Sequence, residues 1–156
     1  MTDEMIERAR ANIADAGVTH AEVRKGIIED LPVDASSVDW VISNCVINLS
    51  PNKAQVFREA FRVLRPGGRL AISDMVTTAE LPAEIKESKE LFSGCMAGAT
   101  LIDELEAMMH AAGFREIAIA PKDESREFIR DWAPGRGVEE LVVSATIEAT
   151  KPKGRC

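Results

Sequence analysis

Apolar residues along this chain follow two periods, and the switches between them mark out the elements. Met5, Ile6, Ala9 and Ile13 recur about once per helical turn, which predicts a helix over 2–16, capped by the Thr2 hydroxyl and ended by Gly17. Ala21-Glu-Val-Arg-Lys25 predicts a short strand that Gly26 ends, and Val38-Asp-Trp-Val-Ile-Ser-Asn44 predicts a second. The second is mostly apolar, as expected of a strand buried on both faces. Ser50-Pro51 predicts a helix start, with the hydroxyl as cap and proline in the first turn. Val56, Phe57, Ala60, Phe61 and Leu64 form the apolar stripe of that helix. Arg65-Pro-Gly-Gly68 predicts a turn, because glycine takes positive φ without steric cost, and a strand follows over 69–74. Further helices are expected over 82–92 and from Thr100 to Gly113. A strand over 116–120, a short helix over 124–132 and a long strand over 140–149 complete the chain.

Strands alternating with helices predict an α/β fold with a mostly parallel sheet covered on both sides. The last two strands, joined by one short helix and a Pro-Gly loop, predict an antiparallel pair. At 156 residues the chain suits one domain, and no internal repeat or low-complexity linker divides it.

Composition narrows the classes of function. Nineteen basic residues against 26 acidic ones give a net charge of -7, which argues against a broad basic face for nucleic acid or an anionic membrane. Only Lys151-Pro-Lys-Gly-Arg155 is basic, and it reads as a solvated tail. No apolar run approaches the roughly 20 residues that span a bilayer, and the acidic start Met1-Thr-Asp-Glu4 is unlike a secretory signal. Cys45, Cys95 and Cys156 are too scattered for a disulfide framework. They point to a cytoplasmic chain with reduced thiols. His20 and His110 sit among polar neighbours, and no zinc-type spacing is present.

Leu31-Pro32, Val38–Asn44 and Leu64-Arg-Pro-Gly-Gly68 together resemble the second half of a class I S-adenosylmethionine-dependent methyltransferase. Two further stretches, Ser43-Asn-Cys-Val-Ile-Asn-Leu49 and Ser93-Gly-Cys-Met-Ala-Gly-Ala99, resemble the cysteine-bearing segments of arsenite methyltransferases. Phe57-Arg-Glu-Ala-Phe-Arg-Val63, Ala71-Ile-Ser-Asp74 and Glu124-Ser-Arg-Glu-Phe-Ile-Arg-Asp-Trp-Ala-Pro-Gly135 agree with this, so the resemblance runs over 1–150. It implies that Cys45 and Cys95 are ligands of trivalent arsenic, a soft centre that thiolates suit. The arsenic lone pair then attacks the sulfonium methyl, and the protein's task is alignment. The plain alternative is that each cysteine is a packing residue. On the cofactor side, the resemblance implies Ile28 packing on the adenine and Glu29 or Asp30 facing its amino group. Asn44 and Val46 would approach the methionine part. Asp74 ends its strand at the same edge, where a capping or loop role fits equally well. Cys156 matches no family position and is expected to be an exposed thiol.

The sequence contains no Gly-x-Gly-x-Gly, and Met1-Thr2 align with the two residues just after the family's ribose-binding acid. The resemblance therefore implies a partial class I methyltransferase domain over 1–156. Its Rossmann-like sheet would lack the first two strands, keep a C-terminal antiparallel pair and hold S-adenosylmethionine weakly. Three functions fit: an arsenite methyltransferase or its C-terminal portion, a non-catalytic arsenic-binding fragment, or a methyltransferase for a small carbon or oxygen acceptor. In the family's sheet order the absent strands lie between 21–25 and 38–44, a gap of about 14 Å at the usual strand spacing. Either 21–25 moves in to pair with 38–44, or a second copy covers that edge as a homodimer.

Overall fold

The computed structural model describes residues 2–88, 96–132 and 134–154. The first helix, α1 (Asp3–Asp15), begins where expected, with the Thr2 Oγ1 accepting from the Met5 N–H at 3.3 Å. It ends at Gly17, whose φ is +64°. Only Ile6 of this helix is buried, and Lys25 reaches back to Asp3 at 2.6 Å.

Four strands and a short fifth make one sheet. They are β1 (Val38–Asn44), β2 (Leu64–Thr77), β3 (Thr100–Leu101), β4 (Arg115–Lys122) and β5 (Val142–Thr150), in the order β1-β2-β5-β4, with β3 against the end of β2. β1 and β3 run parallel to β2, whereas β5 is antiparallel to both β2 and β4. The expected antiparallel closing pair is present. The sheet is mixed rather than mostly parallel, because the longest strand pairing, β2 with β5, runs antiparallel.

Three sequence expectations change for physical reasons. Residues 21–25 form no strand and do not move in beside β1. Val23 is the only sizeable apolar side chain there, and Arg24 folds back on Glu22 and the Pro32 carbonyl instead. The helix after β1, α2 (Lys53–Val63), is capped by Asn52, whose Oδ1 accepts from the Gln55 N–H at 3.1 Å. The Ser50 hydroxyl is already committed to Glu29 and to the Asn52 N–H, so Ser50 and Pro51 stay outside the helix. Residues 65–68 do not leave the sheet. β2 runs through them as an irregularity between the Val38–Leu64 and Trp40–Arg69 pairings. Gly67 supplies a φ of +84° there, and its N–H donates to the Lys151 carbonyl at 2.8 Å.

One face of the sheet carries the main core. Phe57 and Ala60 from α2 and Met109 from α4 (Ile102–Ala112) pack with Leu70, Ile72, Phe114, Ala145 and Ile147. Phe61 meets Phe114 edge to face at 5.2 Å, a geometry the ring quadrupoles favour. A second core gathers Met75, Leu81, Ile85, Met96, Ile129 and Val138 around the far end of β2, where the short helices α3 (Ala83–Lys86), α5 (Ser125–Trp132) and α6 (Val138–Leu141) lie. Residues 89–92 of the expected helix over 82–92 lie outside the described residues. The opposite face of β1 is open: Trp40 is 52% exposed and Ile42 78%. The expectation that β1 is buried on both faces therefore fails, since its alternation places Val41 and Ser43 inward and no described element covers Trp40 and Ile42. Among the described residues no helix is long and apolar enough to cross a membrane.

This two-sided picture predicts unequal costs. Phe57→Ala, at 0% exposure, should lose about 3–5 kcal/mol in urea unfolding. In the isolated monomer Ile42→Thr should lose no more than ~0.5 kcal/mol. Similar losses in the monomer would mean that another part of the chain covers the outer face of β1.

Candidate functional site

The carboxyl end of β1 is where a site can form, because the strand stops there while β2 continues beside it. Asn44 pairs with Ser73 in the last register position, and the next amide, Cys45 N–H, still donates to the Ser73 carbonyl at 2.9 Å. Cys45 then turns with φ +51°. A residue with a Cβ takes this left-handed conformation at a cost that glycine avoids. The thiol is exposed, so packing does not require a cysteine here. A strained, solvent-facing nucleophile at a strand end is the kind of outlier that marks function.

What holds the turn is Asp74. Its carboxylate, 3% exposed, accepts from the Ile47 N–H at 3.1 Å, the Asn48 side-chain amide at 2.9 Å and the Met75 N–H at 2.8 Å. Burial pushes this carboxyl up from its usual range, while those donors and the Lys53 ammonium pull the other way. Of the two roles left open for Asp74 by the sequence, the loop-fixing one is realised. Asn48 also donates to the Met75 carbonyl at 2.7 Å, so the short 3-10 turn Ile47–Leu49 is tied to β2 from both sides.

A second wall comes from the loop before β1. Glu59 of α2 accepts from the Leu31 N–H at 3.0 Å, and Arg62 donates to the Val33 and Leu31 carbonyls. The Arg62 guanidinium beside it holds the Glu59 carboxyl below the usual carboxylate range. Gln55 donates to the Glu29 carbonyl at 3.1 Å, and the Glu29 carboxylate takes the Ser50 hydroxyl. Ile28 is half-buried against the main core. It lines, with Val41, Ser43, Ile47, Phe57 and Ile72, an apolar cavity of about 140 Å³.

The structure thus brings Ile28 and Glu29 to the same sheet end as Asn44, Cys45 and Val46. Asn44 is exposed and Val46 is 41% exposed. Asp30 instead closes a tight turn, its N–H donating to the Ile27 carbonyl. Cys95 and Cys156 lie outside the described residues. His20 and His110 are on the surface, His110 beside Glu106 at 3.5 Å. Among the described residues no cluster of three metal-ligating side chains occurs. Sequence reasoning missed Lys53 and Asn48. A signal for Lys53 existed: a lysine in the first turn of a helix opposes the dipole, so another contact must account for it. Asn48 carried no such mark.

Comparison with known proteins identifies the family. A family model described as a methyltransferase domain matches residues 1–113. The chain is 53% identical over 152 residues to an arsenite methyltransferase of Halobacterium salinarum, an alignment covering 97% of this chain and 39% of that protein. It is 37% identical over 123 residues to an arsenite methyltransferase of Aquipseudomonas alcaligenes, covering 74% of this chain and 36% of the other. The crystal structure of an arsenic(III) S-adenosylmethionine methyltransferase from Chlamydomonas reinhardtii superposes with a TM-score of 0.75 at 31% identity, over 100% of this chain and 55% of that one. The chain therefore spans about two-fifths of the length of these curated relatives. On the match over 1–113, the chain belongs to the methyltransferase domain family.

Proposed function

We propose that this chain is the arsenic-binding portion of an arsenite methyltransferase, serving methyl transfer from S-adenosylmethionine to thiol-bound As(III). The observation that carries this reading is Cys45, exposed and held at positive φ on the strand end, in a chain similar to arsenite methyltransferases along nearly its whole length. Cys45 and Cys95 supply two thiolates, and a water, hydroxide or small thiol completes the pyramid. The soft thiolate set leaves the arsenic lone pair exposed. That pair becomes the new As–C bond while the breaking C–S pair stays on the departing sulfur, so no general base is needed. What this chain supplies is position: Asp74 fixes the Cys45 turn, and alignment of two held reactants is the main source of rate.

S-adenosylmethionine supplies the electrophilic methyl when bound, and Ile28, Glu29, Asn44 and Val46 are the residues proposed to meet it. The half-buried Ile28 and the apolar cavity beside it suit one face of a purine ring. Glu29 is held in place by Ser50 and Gln55. A second reading is an arsenic-binding protein without catalysis, which the exposed Cys45 turn would serve equally well. Both readings place the chain in the cytoplasm, where thiols stay reduced. We also propose that a second copy covers β1, whose open edge at the end of the sheet invites pairing and whose outer face leaves Trp40 and Ile42 in water.

Three measurements test these readings. Cys45→Ser and Cys95→Ser should each lose most of the affinity for phenylarsine oxide. Cys45→Gly should lose it too, yet remain within about 1 kcal/mol of the parent in urea unfolding, because relief of positive φ offsets the entropy of glycine. Full affinity in both serine variants would sink the two-thiol site. Calorimetry with S-adenosylmethionine should release heat if the chain serves methyl transfer, and no heat would leave only the arsenic-binding reading. Light scattering should give twice 17.0 kDa, reverting on Ile42→Lys. A parent mass of 17.0 kDa at every concentration rules out the dimer.

A further inference from the structure

The loop that begins at Cys45 and the segment that follows Cys95 are distant in sequence, yet one cation joins them. Lys53 stands in the first turn of α2, where its charge opposes the helix dipole. Its Nζ, partly buried, donates to the Gly98 carbonyl and to the Thr100 Oγ1, the latter at 2.6 Å. Burial pushes the ammonium below its usual range, with Asp74 and then Glu104 opposing the shift. Gly98 sits so close to Asn48 that a Cβ in its place would run into the Asn48 carbonyl. Met96 and Ala97, just before it, are buried. Asn48 is itself bonded to Asp74. The contacts therefore run unbroken from the Cys45 turn through Asp74 and Asn48 to Gly98, and Lys53 closes the loop from the other side.

We propose that Lys53 is a positioning residue: by holding the Gly98 carbonyl and the Thr100 hydroxyl against the Asn48 turn, it sets how the segment following Cys95 meets the Cys45 loop. The proposal rests on the reading that these two cysteines share one arsenic. A partly buried ammonium suits the task, because the buried Thr100 hydroxyl and the half-shielded Gly98 carbonyl lose a charged donor that water replaces poorly there. An apolar side chain of the same length fills the space and cannot hold either oxygen.

The test uses the full chain carrying Lys53→Met, which keeps the stem and removes the donors. Three quantities are read: amide exchange at 98–101, affinity for phenylarsine oxide, and the rate at which iodoacetamide alkylates Cys45, followed on its peptide by mass spectrometry. Exchange at 98–101 should quicken, and affinity should fall by about tenfold, the worth of a buried hydrogen bond. Alkylation of Cys45, which needs one thiol only, should stay within about twofold of the parent, too small a change for a lost hydrogen bond. Thr100→Val, a gentler change, should move exchange and affinity the same way by a smaller factor. Unchanged affinity in Lys53→Met overturns the proposal. So does an affinity loss accompanied by an equal change in Cys45 alkylation, which would be general loss of structure. A parent chain that captures no phenylarsine oxide sinks the arsenic reading itself, and the positioning role falls with it.

Discussion

The carboxylate of Asp74 is the interaction on which the rest of this molecule's chemistry depends. It lies on β2, the strand with the most partners, and collects donors from the turn that follows β1. A buried carboxylate is costly unless its lone pairs are filled, so the turn cannot rearrange without leaving that charge exposed to an apolar interior. Rigidity at the loop follows from the penalty for moving it. Cys45 can sit at positive φ because Ser73 and Asp74 hold the backbone on either side of it.

From this anchor two walls are set at one end of the sheet. The loop over 28–33 is drawn to α2 by Glu59 and Arg62, an ion pair that is worth more than a surface one because Glu59 is largely shielded and both partners also bond backbone. The segment 96–100 is drawn in by Lys53 and by the close approach of Gly98 to Asn48. Open sheets with parallel strands place ligands at carboxyl ends, where loops from neighbouring strands diverge. β1 and β2 are the parallel neighbours here, and the cysteine turn lies at the carboxyl end of β1, beside the continuing β2.

The open side of β1 is the counterpart of this order. Its inner face packs on α2, whereas Trp40 and Ile42 face water. Arg69 lies over the Trp40 ring at 5.7 Å, a cation–π contact that shields part of the indole but leaves Ile42 bare. An apolar surface of this kind is costly in water. The proposed site at one end of β1 and the exposure of its outer face thus belong to the same strand.

Much of the architecture was legible in local pattern. The helical spacing of Met5, Ile6, Ala9 and Ile13, the stripe on α2 and the apolar run Val38–Asn44 each depend on neighbours a few residues away, so periodicity reported them. The methyltransferase family was legible through resemblance, and composition argued against broad basic partners. The fate of 21–25 was not legible, because Arg24 turns to Glu22 and the Pro32 carbonyl instead of extending the segment along the open edge of β1, and no local pattern announces those partners. Nor was the choice between Ser50 and Asn52 as cap: both are good caps, and only the tertiary contact with Glu29 removed Ser50 from contention. The inward burial of β1 on one face alone, the passage of β2 through the Pro-Gly-Gly stretch, and the meeting of Asp74, Asn48 and Lys53 were likewise decided by residues 20 to 50 positions apart. The sequence by itself determined which segments could be helix or strand and which side chains carry soft-ligand chemistry. Only the tertiary structure decided which polar groups are buried together, because the cost of burying a charge depends on partners that no local window contains.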